Sequence, residues 1–139
     1  MATEKNGTEN ASAAVTDAFD PAWTVNQYLR AIRAAEPSVI ALVLPAAHET
    51  MADLMSNLEQ ARTEWDRDRL VRAAHTMKSA GGYLGAVPVV RQSRSVEGFA
   101  RLGFADELEQ SLVLLRREVS QLLAAIDEIS MDKDLGPKA

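Results

Sequence analysis

Seven apolar residues, Leu108, Leu112, Leu115, Val119, Leu122, Ile126 and Ile129, follow one another at spacings of 4, 3, 4, 3, 4 and 3. That repeat puts all of them on one stripe of an α-helix, whereas the residues of a strand change face at every step. A stripe only one face wide has to be covered by other helices, so the pattern selects a helical bundle. A second seam, Ile40, Leu44, Ala47, Met51, Leu54, Leu58, Ala61 and Trp65, repeats as 4, 3, 4, 3, 4, 3, 4. Pro45 lies inside it, where proline either kinks a helix or marks its true start, and the sequence leaves both open.

The remaining helices are read from shorter patterns and from their stop signals. Residues 21–35 form a first helix, with Pro21 in its first turn and Val25, Tyr28, Leu29 and Ile32 on one face; Pro37 ends it. Asp66 or Asp68 caps a third helix that runs to about residue 84 and stops at Gly85. Pro88 fits the first turn of a fourth, whose seam is Val89, Ser93, Val96 and Ala100 and whose end is Gly103. The last helix spans about 105–129. The expected fold is all-α, an antiparallel up-down-up-down four-helix bundle with an additional N-terminal helix, in one domain of residues 21–130. Breaks at 37, 66, 86 and 103 argue against one extended coiled coil. Residues 1–20 and 131–139 read as flexible tails.

Composition removes several kinds of chemistry. The 139 residues contain no cysteine, so disulfides, thiolate metal sites and cysteine nucleophiles are excluded, and the two histidines, His48 and His75, could not complete a zinc site without carboxylates. The longest charge-free apolar run, 37–47, is far shorter than the roughly 20 residues of a membrane span, and residues 1–20 carry no apolar leader segment. A cytoplasmic protein away from the membrane is therefore expected. The net charge is −5, yet eight basic residues stand against four acidic ones from 62 to 101. A basic middle in an acidic chain suits an acidic partner surface or a phosphate better than nucleic acid, although a plain solvated face would look the same.

A helical wheel singles out one face of the third helix. At about 100° per residue from Leu70, the residues Ala74, Met77, Gly81 and Leu84 stay within roughly 40° of zero and form the core stripe. His75 falls near 140°, in an outward patch with Val71, Lys78, Ser79 and Gly82 at about 80–180°. Small residues there, Gly82 above all, weaken the helix but clear the space around the imidazole for a large partner. An exposed histidine is mostly neutral at pH 7 and its ring nitrogen is a competent nucleophile. A phosphoryl group placed on it would lie within reach of Lys78, one turn along. A lone surface histidine near a lysine is more often simply solvated, and His48 gets only that interpretation.

The stretch Ala74-His75-Thr76-Met77-Lys78-Ser79-Ala80-Gly81-Gly82-Tyr83-Leu84-Gly85-Ala86 resembles the signature of histidine-containing phosphotransfer (HPt) domains. That signature is a histidine, a lysine three residues on, a glycine next, and another glycine ten residues after the histidine. His75, Lys78 and Gly85 match; Ser79 stands where the family usually has glycine. The resemblance implies a phosphocarrier of a His–Asp phosphorelay. His75 would accept a phosphoryl group through Nε2 from a receiver-domain aspartyl phosphate and pass it to another receiver, and Lys78 would neutralise the phosphoryl oxygens. Val71, Ser79 and Gly82 would lie under the docked receiver, with Arg72 and either Arg94 or Arg101 at its rim.

The implied partners are response-regulator receiver domains and an upstream hybrid sensor histidine kinase, engaged by a monomer. In-line phosphoryl transfer commonly uses magnesium, and no acidic cluster falls beside His75 on its wheel, so Mg²⁺ is expected from the receiver and no cofactor from this chain. No Gly-rich nucleotide loop is present, so the chain is expected to be a carrier rather than an enzyme. Two other interpretations remain. The phosphoacceptor bundle of a sensor kinase usually has an acidic residue after its histidine, where Thr76 stands here. A phosphorylation-independent helical adaptor would bind a response regulator through the same face.

Overall fold

Local capping chemistry sets the helix boundaries in the computed structural model, which describes residues 22–131. The first helix, α1 (Val25–Ala34), starts at a capping box in which the Thr24 hydroxyl accepts from the Gln27 N–H and the Gln27 side chain accepts from the Thr24 N–H. It therefore begins later than position 21, because Thr24 supplies the cap; Pro21 lies outside the described residues, as do both expected tails apart from Met131. Pro37 does more than end α1. It opens α2 (Pro37–Glu64), with the Glu36 carboxylate accepting from the Ser38 N–H.

Pro45 sits within α2, which is unbroken from 37 to 64. Pro45 and Ala41, four residues before it, both face solvent, so the carbonyl that proline leaves without a helical donor can bond water. The buried stripe of α2 is Ile40, Ala47, Met51, Met55, Leu58 and Ala61. Leu44 and Leu54 of the expected seam are only half-buried, and Met55 takes the inner position, since a real helix turns every 3.6 residues and drifts off a 3.5-residue repeat. Trp65 departs furthest from expectation. It is exposed, in the left-handed conformation (φ 51°), with its N–H closing α2 on the Ala61 and Arg62 carbonyls.

Asp66 then caps α3 (Arg67–Tyr83) by accepting from the Arg69 N–H. Gly85, at φ +68°, turns the chain; a Cβ there would lie 3.3 Å from the Ala31 carbonyl oxygen of α1, so both conformation and space call for glycine. The helix α4 (Val87–Leu102) carries Pro88 in its first turn and ends at Gly103, and α5 (Ala105–Met131) completes the chain. The described residues are all-helical. Each long helix packs on the next and α5 returns to α2, while α1 lies against α5 and, less extensively, α2.

All seven residues of the α5 stripe and all four of the α4 seam are buried. The α3 stripe is likewise buried, with Ala73 added to it. Ion pairs Arg62–Glu109 and Arg116–Glu59, with a 3.4 Å contact of His48 Nε2 to the Asp127 carboxylate, tie α2 to α5 along their length. His48, to which the sequence assigned no companion, thus has one. The buried Tyr28 hydroxyl donates to the Glu118 carboxylate at 2.6 Å and fastens α1 to α5; burial, then that carboxylate, pushes the phenol pKa up. By length and composition alone α2 could cross a membrane. Here its buried stripe packs into the core, and its other faces carry Glu49, Asp53 and Glu59.

Candidate functional site

A close approach between α3 and α4 at Gly81 helps fix the face that His75 presents. A Cβ on Gly81 would lie 3.0 Å from Val89 Cγ1, so the absence of a side chain lets the two helices close on each other. With Leu70, Ala74 and Met77 also directed inward, the opposite side of α3 is turned outward. The His75 side chain is 61% exposed. Ser79 and Gly82 are exposed, Val71 is half-buried against the core edge, and Arg72 faces solvent. Nothing lies within 4 Å of a Cβ built on Gly82, so its surroundings are open. The outward patch read from the wheel is thus a contiguous surface.

One functional side chain was not anticipated. Glu97 of α4 faces His75, its Oε2 lying 3.6 Å from Nδ1. That separation is a close electrostatic contact rather than a hydrogen bond. The same carboxylate accepts from Lys78 Nζ at 3.1 Å through Oε1 and from Arg101 Nη2 at 2.9 Å through Oε2. Lys78 is therefore held by a counterion on the neighbouring helix instead of extending freely into solvent, and Arg101 joins the same cluster. Arg94 is exposed and away from the cluster's hydrogen bonds.

The Glu97 side chain is only 11% exposed, which would favour its neutral form, yet its pKa is lowered. The Arg101 hydrogen bond is the largest cause, and Lys78 and His75 add to it against the cost of burial. A carboxyl with a lowered pKa stabilises the fold above its unfolded value and loses that contribution as pH falls through the folded one. Glu97→Gln should therefore be less stable than wild type at pH 7. The difference should vanish as acid carries the solution below the ordinary value of 4.5. Denaturant titrations from pH 7 to 3 test this, and parallel curves across that range would contradict it.

Among the described residues, no three His, Cys, Asp or Glu side chains gather into a set that could hold a metal ion. The carboxylate nearest His75 is already engaged by two cations. What the arrangement offers is an accessible imidazole with one nitrogen turned toward a buried anion, two cations beside it, and a clear approach over Gly82.

Comparison with known families places the chain. The Hpt domain model matches residues 43–130, which takes in α3, α4, most of α2 and all but the last residue of α5. The chain belongs to the Hpt domain family, whose members serve histidine phosphotransfer in phosphorelays as phosphocarriers rather than classical enzymes. No curated protein and no solved structure matches it significantly.

Proposed function

We propose that this protein is a cytoplasmic, monomeric histidine phosphocarrier of a multistep phosphorelay, built as an antiparallel up-down-up-down four-helix bundle with α1 as an additional N-terminal helix. His75 accepts a phosphoryl group from a receiver-domain aspartyl phosphate and passes it to the aspartate of another receiver. The observation that carries this is the exposed imidazole in mid-helix, with Lys78 one turn on and open space over Gly82. Because Nδ1 faces Glu97, a ring proton there is stabilised electrostatically and the lone pair is left on Nε2. Attack by that lone pair on phosphorus breaks the aspartyl acyl-phosphate bond, and the carboxylate leaves with its electron pair.

Phosphorylation brings a dianion beside Lys78 and Arg101, both held in advance by Glu97, and these cations offset it. Val71, Ser79 and Gly82 form the surface under the receiver, with Arg72 at its rim. Magnesium belongs to the receiver, where it would neutralise the phosphoryl oxygens. An upstream hybrid sensor kinase supplies the first receiver.

The test is transfer of radiolabelled phosphate from a phosphorylated receiver domain, with acid lability and base stability of the label as the signature of phosphohistidine. Binding of the receiver with no label passed on would favour the phosphorylation-independent adaptor instead. Lys78→Ala should shorten the lifetime of the phosphohistidine or slow transfer by about tenfold, the worth of one charge-assisted contact. Its thermal transition should be preserved, because Arg101 still holds Glu97. An unchanged rate and lifetime would remove Lys78 from the mechanism.

A further inference from the structure

One turn before His75, α3 and the end of α4 enclose a groove of about 400 Å³ lined by Arg67, Asp68, Val71, Arg72 and Arg101. Arg67, Arg72 and Arg101 line it against the single acidic residue Asp68, and with Arg101 already paired to Glu97 the groove still keeps an excess of positive charge, with the half-buried Val71 as an apolar part of its lining. Two of the three are already positioned. Arg101 is anchored by Glu97 at 2.9 Å, and Arg67 Nη2 lies 3.2 Å from where a Gly103 Cβ would be, close against the α4–α5 turn. Arg72 remains exposed at the mouth.

Val71 and His75 are four residues apart on the same helix, about 6 Å along its axis. A protein that covers the imidazole must cover the groove as well. A guanidinium is a planar fork that matches a carboxylate, and those of Arg67 and Arg72 around a partly apolar recess suit a single acidic side chain better than an apolar or basic one.

We infer that this groove receives an Asp or Glu side chain projecting from the receiver beside its phosphorylated aspartate, and that Arg72 selects among receivers by that charge. The inference rests on the carrier function proposed above. Rim charges act chiefly on encounter and partner choice, so the effect belongs in kcat/KM rather than in the chemical step.

The experiment measures initial rates of phosphoryl transfer from a radiolabelled, phosphorylated receiver domain, using the receiver of the same genome that labels the full chain fastest. The chains compared are wild type, Arg72→Glu, Arg72→Lys and Arg30→Glu; Arg30 is exposed on α1 and controls for the change in net charge. Arg72→Glu should lower kcat/KM by about tenfold or more and flatten its dependence on salt, with kcat and phosphohistidine lifetime near wild type. Arg72→Lys, which keeps the charge but not the planar fork, should fall between Arg72→Glu and wild type, and Arg30→Glu should keep nearly all of the rate. Changing one acidic residue on the receiver's docking face to lysine should restore transfer to Arg72→Glu. Equal rates for Arg72→Glu and Arg30→Glu would overturn the groove's role while leaving the carrier function standing. If no receiver labels wild type, both fall.

Discussion

Replacing His75 by glutamine is expected to abolish phosphoryl acceptance, reducing label incorporation from a phosphorylated receiver to background. Glutamine keeps a polar side chain of similar reach at an exposed position, so α3 and its core stripe should be undisturbed. The amide nitrogen has no available lone pair, and without a nucleophile the phosphoryl group has nowhere to go. Receiver binding should survive, because the docking surface around position 75 is unchanged. The pair of measurements is therefore decisive: binding retained with labelling lost assigns the chemistry to the imidazole. Labelling at even a tenth of the wild-type rate would mean that another residue accepts phosphate. The other histidine, His48, lies on α2 paired with Asp127, so His48→Gln is the matched control and should transfer normally.

The second large effect concerns space. Gly82→Leu should reduce kcat/KM for transfer by about a hundredfold, since a branched side chain would stand in the open approach beside the imidazole and break contact across the docked surface. The same change should leave stability unaltered or raise it by about 0.5–1 kcal/mol, because glycine is a poor helix former and nothing lies within 4 Å of the new Cβ. An improved protein that transfers badly is an unusual combination, and it separates docking from folding. Gly81, its neighbour, should behave in the opposite way. A Cβ there would meet Val89 Cγ1 at 3.0 Å, so Gly81→Val should be destabilised as α3 and α4 are forced apart. Urea titrations alongside initial rates check both, and normal transfer by Gly82→Leu would remove the clearance function of that glycine.

The contrast between adjacent glycines also marks what the sequence could tell. Helical periodicity fixes the azimuth of every residue on one helix, which is why His75, Ser79 and Gly82 were placed outward and Leu70, Ala74, Met77, Gly81 and Leu84 inward from numbering alone. A wheel holds nothing about the helix next door, and Glu97 escaped for that reason. It nevertheless left a trace: it is the sole acidic residue between Asp68 and Asp106, directly beside Val96 on the α4 seam. A lone carboxylate flanking a buried stripe invites a search for its cations. Trp65 misled in another way, because an apolar residue in register was counted as seam when the chain was already turning. Pro45 could not be resolved from its neighbours, since whether proline is tolerated depends on solvent at the carbonyl it orphans.

The close approach at Gly81 bears on how motion is shared during transfer. With α3 seated against Val89 and Val90, twisting the helix about its long axis would drive its backbone into α4, so the bearing of the imidazole is set before any partner arrives. In the proposed phosphorelay the carrier would then present a surface of fixed bearing, and the travel that brings phosphorus from one acceptor to the next would fall to the domains that dock on it.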